Sequence, residues 1–169
     1  MRLKSLAICT ALLAASPGFA GVPAWSLRPA VGNIGEQLVF DSGAQVTYVF
    51  TCEPTDIAVT QTGVTDILDM NTNSKVGDGP DAKMPEGAAL MALFGGKGSP
   101  DFQPASATKN PNKGWDLTIH LAKNDKQLRA ISSSDMISLF TTGYTEAVEV
   151  DGQTRDIWKG FLKRCQSNS

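Results

Sequence analysis

Trp115-Asp116-Leu117-Thr118-Ile119-His120-Leu121 sets its large apolar side chains on every second residue and polar ones between them. That period of two is the pattern of a strand with one face in a core and the other in water. Toward the amino end, Gln37 to Asp41 and Gln45 to Cys52 alternate in the same way, and Asp41-Ser42-Gly43-Ala44 between them supplies turn chemistry. The pair reads as a hairpin. Val46, Tyr48, Phe50 and Cys52 share one of its faces, which turns Cys52 toward the core. Beyond the break at Glu53-Pro54 a third strand is expected from Ile57 to about Thr60, and Gly63 divides it from a short apolar piece at Ile67-Leu68.

Toward the carboxyl end, Asp125 to Ile131 reads as a short helical turn, and Met136 to Thr142 with Tyr144 to Val150 as a strand pair folded at Gly143. In the last element, with Thr154 as its expected cap, Ile157, Trp158, Phe161, Leu162 and Cys165 recur at helical spacing. Lys159, Lys163 and Arg164 sit toward its carboxyl end, where cations suit the helix dipole. The middle is less regular. Met70 to Glu86 and Gly95 to Gly114 read as long surface loops, and Ala88 to Phe94, opened by Pro85 and stopped by Gly95-Gly96, as a helix of one or two turns. Strands outnumber helices and do not alternate with them. The fold class expected is α+β: a mainly antiparallel sheet, open or closed into a small barrel, with the carboxyl-terminal helix packed on it.

Met1-Arg2-Leu3-Lys4, the apolar stretch Leu6 to Ala15 and Gly18-Phe19-Ala20 together have the form of a cleavable export signal, residues 1–20, with Gly21 as the first mature residue. Leu6-Ala7-Ile8-Cys9 resembles a lipid-attachment box, but bulky Ile8 stands where a small side chain belongs. Residues 21–169 are expected to form a single exported domain, periplasmic or secreted, long enough to bury about two-thirds of its unfolded surface. Loss of Arg2 and Lys4 with the leader leaves 13 basic against 17 acidic side chains, a net charge of −4. That balance disfavours nucleic acid and anionic lipid and favours basic partners. No later stretch approaches the roughly 20 apolar residues of a membrane span. Cys52 and Cys165 remain after cleavage, and two cysteines in an oxidising compartment predict one disulfide.

Chemical motifs are sparse. His120, the only histidine, alternates onto the wet face of its strand. Ser132-Ser133-Ser134-Asp135 downstream completes the residue types of a hydrolytic triad without a nucleophile elbow. Ser106-Ala107-Thr108-Lys109 has the Ser-x-x-Lys spacing that puts a lysine one helical turn from a serine, but Asn110-Pro111 follows at once. Asp69, Asn71 and Asn73 stand like the first three ligands of a calcium loop, with Asp78 nearby, until Ser74 replaces the turn glycine and Pro80 the bidentate glutamate. Gly95-Gly96-Lys97-Gly98-Ser99 has the composition of an anion nest but not the spacing of a phosphate loop. One histidine and two paired cysteines leave too few ligands for a zinc centre, and there is no Cys-x-x-Cys-His for haem, so no cofactor is expected. Trp115 and Trp158 belong to core faces, which leaves Trp25, in the extended Pro23-to-Pro29 segment, as the one tryptophan open to exposure, with packing against the sheet as its alternative.

A scaffold without a catalytic signature points to an exported, non-enzymatic binding or accessory protein that holds a protein or small-molecule ligand on its two central loops and the 88–94 helix. The alternative is a small exported hydrolase using Ser106 with Lys109, or a serine with His120. Tyr48-Val49-Phe50-Thr51-Cys52, with a cysteine near the end of the chain, resembles small periplasmic lysozyme inhibitors over that one strand. The resemblance implies an inhibitor-like binding protein.

Overall fold

A computed structural model of the protein describes residues 24–43 and 46–167. The export segment 1–20, with Cys9, the Gly21 start and the turn residues Ala44 and Gln45, lies outside the described residues. β1 (Ala24–Arg28), β2 (Gln37–Asp41), β3 (Val46–Cys52) and β4 (Asp56–Val64) are followed by β5 (Leu68–Asp69), β6 (Ser74–Lys75), β7 (Leu90–Phe94) and β8 (Gln103–Pro104). Then come β9 (Ser106–Lys109), β10 (Trp115–Ala122), α1 (Lys126–Ile131), β11 (Met136–Thr141), β12 (Tyr144–Glu149) and α2 (Gly152–Ser167). Six strands form one sheet in the order β1-β2-β3-β4-β10-β9, and four form a second in the order β12-β11-β7-β8. The pairings within both are antiparallel. Both sheets are open, so of the two closures left by the sequence the barrel is not formed.

The alternation of β10 is realised residue by residue: Trp115, Leu117, Ile119 and Leu121 are buried, and His120 is exposed. On β3, Tyr48, Phe50 and Cys52 enter the same core. α2 lies over it with Trp158, Phe161, Leu162 and Cys165 buried. Trp158 meets Phe50 edge-on at 4.9 Å between ring centroids, and its Nε1 donates to the carbonyl of Leu128 at 3.0 Å. A buried indole thus keeps its hydrogen bond while its rings fill the core. The predicted bridge is present, Cys52 to Cys165, with Cα atoms 5.5 Å apart. Beside it, Arg164 clasps Glu36 through Nε and a terminal nitrogen, at 2.9 and 2.7 Å to Oε1. Gly35 lies against this junction so closely that a Cβ there would sit 1.7 Å from the carbonyl oxygen of Cys52.

Four expectations are corrected. Ala88 to Phe94 is not an exposed helix: its last five residues are β7, an inner strand with Met91, Ala92 and Leu93 buried, preceded by buried Ala88 and Ala89. A run apolar at every position has no polar face to turn to water, and so suits a strand buried on both faces. The long loops on either side carry β5–β6 at one end and β8 and β9 near the other. The third strand runs to Val64, since Gly63, at φ 67°, bends it rather than ending it. Finally, Asp151 rather than Thr154 caps α2: its Oδ1 accepts the Thr154 amide at 2.7 Å, and its carbonyl accepts the Arg155 amide at 3.0 Å.

Candidate functional site

The residues proposed for hydrolysis are not brought together. Ser106 and Lys109 lie on β9, where a separation of three puts side chains on opposite faces instead of one helical turn apart. The serine Oγ donates to the carbonyl of Thr118 at 3.4 Å, while Lys109 reaches the Gly79 carbonyl at 2.6 Å and lies 4.0 Å from the centre of the Trp115 ring. Ser133 and Ser134 donate to the carbonyls of Ala130 and Met136, and Asp135 pairs with Arg155 at 2.7 Å. These serines finish α1 and its exit turn. Asp69, Asn71 and Asn73 form the β5–β6 turn, in which the Asp69 carboxylate accepts the Asn71 amide at 2.9 Å and the Thr72 hydroxyl at 2.9 Å. Those two bonds hold its carboxyl below the ordinary aspartate range. Asp78 lies instead 3.9 Å from Lys113. The amide of Gly95 donates to buried Gln127 at 3.0 Å, so the glycine run does not turn that amide to an anion.

His120 has different company. Glu53 and Asp56 flank the two-residue turn Pro54-Thr55 between β3 and β4, closed by the Glu53 amide on the Asp56 carbonyl at 3.0 Å. On the adjoining β10, His120 is opposite Ala58, two residues along from Asp56 on the same face. Its Nδ1 is 3.3 Å from Asp56 Oδ1 and 3.5 Å from Glu53 Oε2. The sequence does not show this trio when only histidine and cysteine are counted as zinc ligands. The signal available was the Glu-Pro-Thr-Asp turn placed beside the His120 strand.

The concave surface lies between the sheets. One cleft, of about 580 Å³, is lined by Trp25 and Phe40 from the first sheet, Glu146, Val148 and Glu149 from edge strand β12, and Asp151 at the start of α2. Trp25 is half-buried there, its ring 5.0 Å from Phe40 and 6.0 Å from Phe50. A second cleft of about 400 Å³ adjoins the first at Ser42 and Glu146 and is lined by hydroxyls, amides and charges, among them Thr47, Gln61 and Asn110. Buried Gln61 donates to Glu146 at 3.4 Å, holding that carboxylate at the junction. Among the described residues, the first cleft has three carboxylates and no lysine or arginine in its walls. The sequence leaves Trp25 either exposed or packed on the sheet, and it is half-buried on Phe40; Glu146 and Glu149 line the same cleft only through folding. Val31 and Ile34, 70% and 56% exposed, sit at the tip of a separate loop beside an 820 Å³ groove that includes Glu36, Glu53 and Arg164.

The strand that carries the lysozyme-inhibitor resemblance is interior: Tyr48 and Phe50 are fully buried. Its pattern therefore speaks to scaffold rather than to a contact surface. The disulfide is a weak pointer to a non-cytoplasmic location. Among the described residues no helix is long and apolar enough to cross a membrane. Compared with known proteins, the chain matches no family model, no curated protein and no solved structure.

Proposed function

We propose that this chain is an exported, periplasmic or secreted, non-enzymatic binding protein that receives a cationic group in the cleft between β12 and the β1–β2 edge. The observation that carries the reading is the wall composition: two aromatic rings, Trp25 and Phe40, opposite Glu146 and Glu149, with no basic side chain among the lining residues. Ring faces and carboxylates both favour positive charge, and a partly enclosed cleft strengthens that attraction relative to open water. The cation is an ammonium or guanidinium, carried by a protein side chain or by a small amine. Export is supported by the leader-like residues 1–20 together with the disulfide.

Native mass spectrometry of the protein recovered from its own compartment tests both halves. The expected mass begins at Gly21, is two hydrogens light, and carries a basic protein or an amine. Titration with spermidine and with an oligo-lysine peptide, read by calorimetry, separates the two sources. Glu146→Gln is expected to weaken binding about tenfold, the loss of one charge-assisted contact. A chain that binds neither probe, or binds both equally well after Glu146→Gln and Trp25→Ala, overturns the cleft assignment.

A further inference from the structure

We propose that Glu53, Asp56 and His120 form a binding site for a divalent transition-metal ion of the zinc class, on the opposite end of β4 from the clefts described above. Their ligand atoms all lie within 4.8 Å of one another. Zinc bonds of about 2.0 to 2.2 Å in tetrahedral array place neighbouring ligand atoms roughly 3.3 to 3.6 Å apart. His120 Nδ1 stands 3.3 Å from Asp56 Oδ1 and 3.5 Å from Glu53 Oε2, so two edges of that tetrahedron are already set. The carboxylate of Glu53, on a side chain 39% exposed, has the freedom to close the third.

The set is built rather than scattered. Its two carboxylates project from one tight turn, directly after the disulfide at Cys52, and its imidazole from the neighbouring strand at a register fixed by the β4–β10 ladder. Thr55 donates to the second oxygen of Asp56 at 3.4 Å, which leaves Oδ1 toward the imidazole. A nitrogen ligand with two carboxylates suits zinc and its neighbours in the first transition row. Calcium asks for six to eight oxygens and magnesium for an octahedral set rich in water, so neither matches this trio. Three protein ligands leave one position open, to be filled by water. Of the three, Glu53 also borders the 820 Å³ groove.

The rival account is an ion pair between a protonated His120 and the two carboxylates, and a calorimetric titration of the oxidised, tag-free protein with zinc chloride decides between them. The expected result is one zinc ion per chain, with cobalt substituting and giving the visible absorption of a four-coordinate site. His120→Ala and Asp56→Asn are each expected to weaken zinc binding by tenfold or more, with the circular dichroism unchanged because neither side chain belongs to the hydrophobic core. In the NMR spectrum of the unaltered protein the His120 ring nitrogens are expected to shift on zinc addition. No saturable zinc binding, or an affinity that neither variant changes, overturns the site and leaves the ion pair. Both outcomes are independent of ligand binding at Trp25.

Discussion

At the scale of single residues, Gly35 is a position with no room for a side chain. A methyl group there would overlap the Cys52 carbonyl, and that carbonyl belongs to backbone fixed by the disulfide and by the Cys52 amide on the Glu36 carbonyl at 2.8 Å. Gly35→Ala is expected to cost about 3 kcal/mol, the upper range for forced overpacking, read as a lower urea midpoint at unchanged slope. Nothing in Asn33-Ile34-Gly35-Glu36 announces this, because the obstacle is another strand's backbone 17 positions along. His120 has the same kind of history. Its exposure follows from alternation within its own strand, whereas the nearness of Glu53 and Asp56 follows only once β10 is paired with β4.

At the scale of elements, local chemistry was legible where a segment has one wet face and illegible where it has none. β10 and α2 show their periods plainly, since each buries one side and hydrates the other. β7 is dry on both sides and offers no period to read, which is why its alanines and leucines mimic a helix. The start of α2 was placed three residues late because Thr154 and Asp151 are both good cap residues, and only the hydrogen bonds distinguish them. The Asp151 carboxyl is held below its ordinary value, chiefly by the Thr154 amide, then by the Thr154 side chain. A lowered folded value stabilises the fold fully above the unfolded pKa of about 4, and the contribution is lost as pH falls through the lowered value. Thermal melts from pH 6 to pH 2 are therefore expected to fall less steeply for Asp151→Asn than for the unaltered chain. At pH 6 the variant is expected to melt lower, as it has lost the charge on the helix dipole.

At the scale of the whole molecule, the disulfide and both of its faces were legible, because two independent periods turned Cys52 and Cys165 inward. The arrangement of strands was not. The sequence holds the strands in order but carries no mark of the step from β4 to β10, which skips five strands and sends β7 and β8 to the second sheet. The clefts were invisible for the same reason, since their walls come from strands of both sheets. Replacing both cysteines by serine is expected to lower stability by about 4 to 5 kcal/mol on the chain-entropy account, measured as the urea midpoint of the double variant. A much smaller loss would mean that the unbridged chain already holds its ends together when unfolded.

That cross-link joins positions 113 residues apart, and the strands from β4 to β12 all lie between them. Covalently, residues 52–165 thus form a closed ring, entered by an arm that carries β1, β2 and β3. A single backbone cut at the exposed segment around Gly79 and Pro80 would open the ring without releasing a fragment, and the two halves would remain one molecule. The bond would therefore preserve integrity as well as stability after such a cut.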